Sequence, residues 1–157
     1  MAHKTLRTGD KAPHFSLQDQ NGNLFNLSQK LDAGCLVIYF YPKDDTPGCT
    51  AQSCAFRDSY EDFKDAGAEV IGISSDSQAS HEKFAQRHNL PFTLLADSDG
   101  KVRQLFGVPK TFGLFPGRVT YVIDQQGIVR FVFNSPFAAT KHVPEALQII
   151  RSLTNKS

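Results

Sequence analysis

No apolar run in this 157-residue chain approaches the ~18–20 residues that cross a bilayer, so no membrane partner is expected. The N-terminal Met1-Ala2-His3-Lys4-Thr5-Leu6-Arg7 also lacks the apolar stretch of a secretory signal. The expected location is cytoplasmic, or an organelle stroma if a transit peptide has been removed. Surplus charge is missing as well: 17 Lys and Arg stand against 16 Asp and Glu, a formal net charge of +1, with the basic residues scattered. That leaves no electrostatic footprint for nucleic acid, which is not expected as a partner. Cysteine is scarce, at three, and no two are spaced Cys-x-x-Cys. An odd number in a reducing compartment argues for redox or metal chemistry over a structural disulfide framework. Internal repeats, low-complexity tracts and interdomain linkers are all absent. With 40% hydrophobic and 21% charged residues, 1–157 reads as one globular domain with a sizeable core.

The chain that remains alternates strand and helix. His14 to Asp19 and Leu24 to Leu27 flank Asn21-Gly22-Asn23 and predict a β-hairpin. Cys35 to Tyr41 is a continuous apolar strand of the kind buried on both faces of a sheet. Pro47 to Ala66 reads as one helix with Phe56, Tyr60 and Phe63 on a single stripe and Gly67 as its stop. Glu69 to Ser74 is a second core strand, Gln78 to His88 a second helix, Phe92 to Ala96 a short strand and Asp99 to Phe106 a short helix. A loop follows over Gly107 to Gly117, then a hairpin of Val119 to Ile123 and Ile128 to Phe133. A last helix, about Lys141 to Leu153, turns Val143, Leu147 and Ile150 inward. This order predicts an α/β protein: a mixed central sheet with helices on both faces and an N-terminal β-hairpin, as in an elaborated thioredoxin-like fold.

The most informative residues follow the strand ending at Tyr41. In Pro42-Lys43-Asp44-Asp45-Thr46-Pro47-Gly48-Cys49 a Pro/Gly-punctuated turn leads to a cysteine in the opening turn of a helix. Unpaired backbone N–H groups and the positive dipole end lie there, conditions that favour a thiolate. Helical spacing puts Cys49 on the stripe of Phe56, Tyr60 and Phe63, facing the protein body, and turns Cys54 elsewhere. Five residues advance a helix by ~7.5 Å and rotate it by ~140°, so the two Cα atoms stand roughly 8–9 Å apart. A disulfide tolerates at most ~7 Å, so any bond between these sulfurs requires the start of the helix to unwind.

Pro42-x-x-x-Thr46-x-x-Cys49 resembles the active-site signature of the peroxiredoxins, and Cys49-x-x-x-x-Cys54 is similar to their bacterioferritin-comigratory-protein or PrxQ subgroup. The resemblance extends through Ala55-Phe56-Arg57-Asp58, Leu90-Pro91-Phe92 and Gly117-Arg118-x-Thr120-Tyr121-Val122-Ile123-Asp124. It implies a thiol peroxidase of hydrogen peroxide and organic hydroperoxides, monomeric and without metal or organic cofactor. Cys49 would be the peroxidatic cysteine, oxidised to a sulfenic acid. Thr46 would hydrogen-bond peroxide and thiolate, Pro42 would shield the sulfenic acid, and Arg118 would orient the sulfur and favour the thiolate. Cys54 would resolve the sulfenic acid to an intramolecular disulfide, reduced by thioredoxin or a similar dithiol. Thiolate activation alone does not account for such chemistry. An unperturbed thiol is ~3% ionised at neutral pH, so full ionisation gains only about thirtyfold. The rest must come from fixed donors, for which the N–H groups of Gly48 and Cys49, the Thr46 hydroxyl and a guanidinium are the candidates.

Other residues read more plainly. Cys35 opens the apolar strand as a core residue and is the fallback resolving thiol should Cys54 be inert. His81 and His88 lie seven apart on a partly exposed helix face and form no metal pattern with the cysteines. Asp97-Ser98-Asp99-Gly100 is a helix-start turn lacking the rest of a calcium loop. Phe112, Phe115 and Phe137 are expected as loop anchors and core, some of them rimming a substrate pocket. A redox-sensing interaction protein using a Cys49–Cys54 switch is the alternative; a protein thiol-disulfide oxidoreductase is disfavoured by the missing Cys-x-x-Cys.

Overall fold

The computed structural model describes residues 5–110 and 117–154. Strands β1 (Ser16–Gln18) and β2 (Leu24–Asn26) form the expected antiparallel hairpin, with Leu17 opposite Phe25. Asp19 fixes its turn by accepting the N–H groups of Asn21 and Asn23 at 2.9 and 3.0 Å. Leu27, expected at the end of a strand, instead opens a short helix, α1 (Leu27–Leu31). The Asn26 side chain caps it by accepting from the Gln29 N–H, and Leu27 and Leu31 are buried beneath it.

The apolar run becomes the central strand β3 (Cys35–Phe40), parallel to β4 (Ala68–Ser74), which pairs in parallel with β5 (Thr93–Ala96). On its other side β3 runs antiparallel to β6 (Val119–Ile123), and β6 to β7 (Val129–Asn134). The order β5-β4-β3-β6-β7 is therefore a mixed five-stranded sheet with β3 in the middle. Alternation divides its side chains between two cores. Val37 and Tyr39 pack with Phe56, Phe63, Phe84, Val143 and Ile150, whereas Leu36, Ile38 and Phe40 pack with Phe15, Phe25, Leu31, Val102 and Phe106. Helices α2 (Pro47–Asp58), α3 (Tyr60–Asp65), α4 (Gln78–His88) and α6 (His142–Thr154) thus cover one face. The other is covered by α1, the hairpin and α5 (Lys101–Leu105). This is the thioredoxin-like α/β arrangement expected.

Two further expectations need correction. The single helix over 47–66 is broken at Ser59, whose φ and ψ of −104° and 5° separate α2 from α3. Residues seven apart on a straight helix are offset by about 10.5 Å along its axis. The break lets the fully buried Phe56 and Phe63 rings close to 5.7 Å. Phe137 is no core anchor: it is 79% exposed. The carbonyls beside it face inward, that of Ser135 to His142 and that of Pro136 to Arg118, and the turn so formed carries the Phe137 side chain outward. Phe112 and Phe115 lie outside the described residues.

Candidate active site

The chain leaves β3 at the buried Tyr41, passes the half-buried Pro42 and reaches α2 through a connection held from several sides. Asp45 adopts a left-handed φ of 63°. Thr46 is the extended N-cap of α2, but its hydroxyl donates to the Lys43 carbonyl at 2.9 Å and leaves the helix donors unfilled. Pro47 opens the helix, where its missing N–H costs nothing. Gly48 and Cys49 thus lie in the first turn of α2, where backbone N–H groups have no intrahelical acceptor, and Cys49 is 1% exposed.

Arg118 enters from the start of β6 and is itself buried. Its Nη2 donates to Cys49 Sγ at 3.3 Å, its Nη1 to Gln52 Oε1, and its Nε to the Pro136 carbonyl at 3.1 Å. Gln52 stands one helical turn after Cys49, so a single guanidinium spans both residues on one face of α2. The Gln52 Nε2 is buried with no partner among the described residues. Gly48 makes room for the arginine, since a Cβ there would lie 3.1 Å from Nη2.

The other sequence-nominated cysteines divide. Cys54 is half-buried on α2 and separated from Cys49 by unbroken helix, so both thiols are free and cannot bond in this conformation. Cys35 starts β3, paired with Ala68, while the Cys49 loop leaves the strand's other end. A six-residue strand puts about 17 Å between those ends, which removes Cys35 as a fallback resolving thiol. Burial, with Asp124 nearby, pushes the Cys35 thiol up from its usual range.

Sequence reasoning missed the supports. His81 is not on a partly exposed face: it is fully buried, because the fold brings its helix against the Cys49 loop. Its Nδ1 is 2.7 Å from Asp44 Oδ2 and its Nε2 is 2.9 Å from the Leu95 carbonyl. The Leu95 carbonyl can only accept, so Nε2 carries a hydrogen, while Nδ1 faces the Asp44 carboxyl group. Asp44 also accepts from Tyr41 Oη and Ser80 Oγ at 2.5 and 2.8 Å, and its N–H donates to Asp76 Oδ2. Asp44, Asp76 and His81 hold ligand-type atoms within 4.8 Å of one another, but those atoms already bond to each other or to their neighbours. The loop is thereby anchored five residues before Cys49. On the opposite side, His142 receives the Thr120 hydroxyl on Nδ1 at 2.7 Å and donates from Nε2 to the Ser135 carbonyl at 2.9 Å, steadying the turn that takes Arg118 Nε. No local signal marks either histidine, since their partners are 7 to 40 residues away.

The site thus offers a buried sulfur, a helix N-terminus and a fixed cation, with a second thiol held in reserve. The family model described as AhpC/TSA family matches residues 8–132. The chain is 55% identical over 146 residues to the chloroplastic peroxiredoxin Q of Oryza sativa subsp. japonica, covering 92% of this chain and 67% of the rice protein. It is 53% identical over 148 residues to the chloroplastic peroxiredoxin Q of Arabidopsis thaliana, covering 94% and 68%. Among solved structures, peroxidoxin BcpB from Mycobacterium tuberculosis superposes with a TM-score of 0.88 at 37% identity, covering 94% of this chain and 98% of that one. Xanthomonas campestris peroxiredoxin Q gives 0.82 at 30% identity, covering 90% and 92%.

Proposed function

The chain belongs to the AhpC/TSA family, and from that premise we propose a thiol peroxidase cycle run by Cys49, Arg118, Thr46, Pro42 and Cys54. It is an oxidoreductase that reduces peroxides, with a thioredoxin-type dithiol as reductant. The Cys49 thiolate attacks one peroxide oxygen along the O–O axis. The S–O bond forms as the O–O bond breaks, and the departing alkoxide or hydroxide takes up a proton as alcohol or water. Charge moves from sulfur to the oxygens, where the Arg118 guanidinium and the free N–H groups of Gly48 and Cys49 stabilise it more than in the ground state. Thr46 orients the peroxide, and Pro42 limits access of water to the sulfenic acid.

Resolution requires motion. The first turns of α2 unwind, the Cys54 thiolate attacks the Cys49 sulfur, and hydroxide leaves as water once protonated. The dithiol reductant then opens the disulfide and α2 re-forms. We read 1–157 as one domain acting as a monomer in a reducing compartment, the cytoplasm or an organelle stroma, on peroxides and without nucleic acid or membrane as partner. No helix among the described residues is long and apolar enough to cross a membrane.

The observation that carries this reading is the buried Cys49 sulfur in the first turn of α2, 3.3 Å from the Arg118 guanidinium. The test is peroxide consumption with excess thioredoxin, thioredoxin reductase and NADPH. Multiple turnovers that vanish in Cys49→Ser are expected; retained turnover in that variant refutes the assignment.

A further inference from the structure

Two segments carry the Cys49 site: the connection leaving β3 after Tyr41, and Gly117-Arg118 entering β6. The antiparallel β3–β6 ladder closes on the pair Phe40 and Val119. The next residues along the two strands, Tyr41 and Arg118, do not pair, and the segments part to form the site. Arg103 bridges this opening from α5. Its Nη2 donates to the Tyr41 carbonyl and its Nη1 to the Gly117 carbonyl, both at 2.8 Å.

Tyr41 immediately precedes Pro42 and Gly117 immediately precedes Arg118, so one rigid planar fork spans the bases of both arms of the site. Arg103 is itself held firmly. Asp97, 1% exposed, accepts the N–H groups of Val102 and Arg103 at 3.1 and 2.9 Å, and the guanidinium lies 5.6 Å from the centre of the Phe40 ring. Gly117 is equally constrained, since a Cβ there would come within 1.9 Å of the Pro109 carbonyl oxygen. Burial pulls the Arg103 guanidinium below its usual range, and the nearby Asp97 opposes that pull.

We propose that Arg103 is a positioning residue of the peroxidase site: by clamping the carbonyls of Tyr41 and Gly117 it sets the separation of Cys49 from Arg118. It acts through Arg118 and makes no contact with peroxide. The inference rests on Cys49 being the attacking thiol. A lysine presents its three donors from one rotatable nitrogen and lacks the rigid fork that fixes the spacing of two carbonyls; a methionine offers no donor.

The experiment compares wild type, Arg103→Lys, Arg103→Met and Cys49→Ser in the full chain. Sulfenic acid formation from hydrogen peroxide is timed by rapid quench and mass spectrometry. The pH profile of Cys49 alkylation and the thermal midpoint are measured beside it. Displacing a reacting pair by about 1 Å costs up to ~100-fold, so Arg103→Met is expected to lose about ten- to a hundredfold in rate. Its alkylation profile moves to higher pH. Arg103→Lys retains a profile near wild type yet still loses rate. Should Arg103→Met not fold, Arg103→Lys decides by itself, its lowered rate supporting the clamp. A folded variant of either kind with the wild-type rate and pH profile, whatever its thermal midpoint, overturns the inference while a dead Cys49→Ser leaves the peroxidase reading standing. Peroxide reduction surviving in Cys49→Ser overturns both.

Discussion

His142 ties the stability of the Arg118 support to pH, and its contribution can be worked out. The ring is fully buried at the start of α6, with Nε2 donating to the Ser135 carbonyl and Nδ1 accepting from Thr120. A protonated ring would reverse the Thr120 bond and place a second cation near Arg118. Burial first, and then the Arg118 charge, hold the imidazole down to about 4 from an ordinary 6.5, against the Ser135 bond pulling upward. Between those limits the unfolded chain binds a proton that the folded chain refuses, so stability rises with pH across this window. The contribution is fully present above about pH 6.5 and is lost as pH falls toward 4. The loss between pH 7 and pH 4.5 is roughly 2 kcal/mol, a large share of the ~5–15 kcal/mol of a typical domain. Urea unfolding of wild type and His142→Asn at several pH values between 7 and 4.5 isolates it, because the other titrating groups are common to both. The difference in stability between the two proteins should change by roughly 2 kcal/mol over that range. Parallel pH dependences would refute the buried neutral ring.

Three further outcomes follow from the site. Arg118→Met removes a charged donor, for which ~1.5–3 kcal/mol is typical, so sulfenic acid formation timed by rapid quench should slow by about ten- to a hundredfold. A rate within about twofold of wild type would exclude Arg118 from the reaction. Cys54→Ser should give one turnover of peroxide ending in a persistent sulfenic acid or mixed disulfide by mass spectrometry. Oxidised wild type should in turn lose amide-exchange protection over the first turns of α2, and full multi-turnover activity of the variant with thioredoxin would refute the resolving role. His81→Phe leaves the buried Asp44 carboxyl and the Leu95 carbonyl without their ring partner and should cost roughly 1–3 kcal/mol by chemical denaturation, against under ~1 kcal/mol if His81 merely fills space.

Much of this architecture is written locally. Helix α4 runs over the residues expected, because Ser77 caps it by accepting the Ser80 N–H and Asn89 ends it at a left-handed φ of 51°, both signals lying within a few residues of the boundary. The uninterrupted apolar stretch of β3 foretold burial on both faces, and Cys49 was legible from Thr46-Pro47-Gly48 because a turn, a helix start and a free N-terminus are short-range properties. The cap of α1 was equally local, in Asn26 and Gln29, but it was masked by the alternating residues before it. The break at Ser59 was not local, since it serves the closing of Phe56 on Phe63 in the core.

By itself, then, the sequence determined the order of strands and helices, the helix start that presents Cys49, and the five-residue offset that keeps Cys54 out of reach without unwinding. Only the tertiary structure decided what surrounds the sulfur. Arg118 reaches Cys49 across 69 positions, Arg103 reaches Tyr41 across 62 and His81 reaches Asp44 across 37. Periodicity and turn chemistry act over a few residues, whereas these meetings depend on β6 lying against β3 and on helices returning across the sheet. Their energies arise from removing charge from water and repaying it with a partner, and no single segment contains both halves of that exchange.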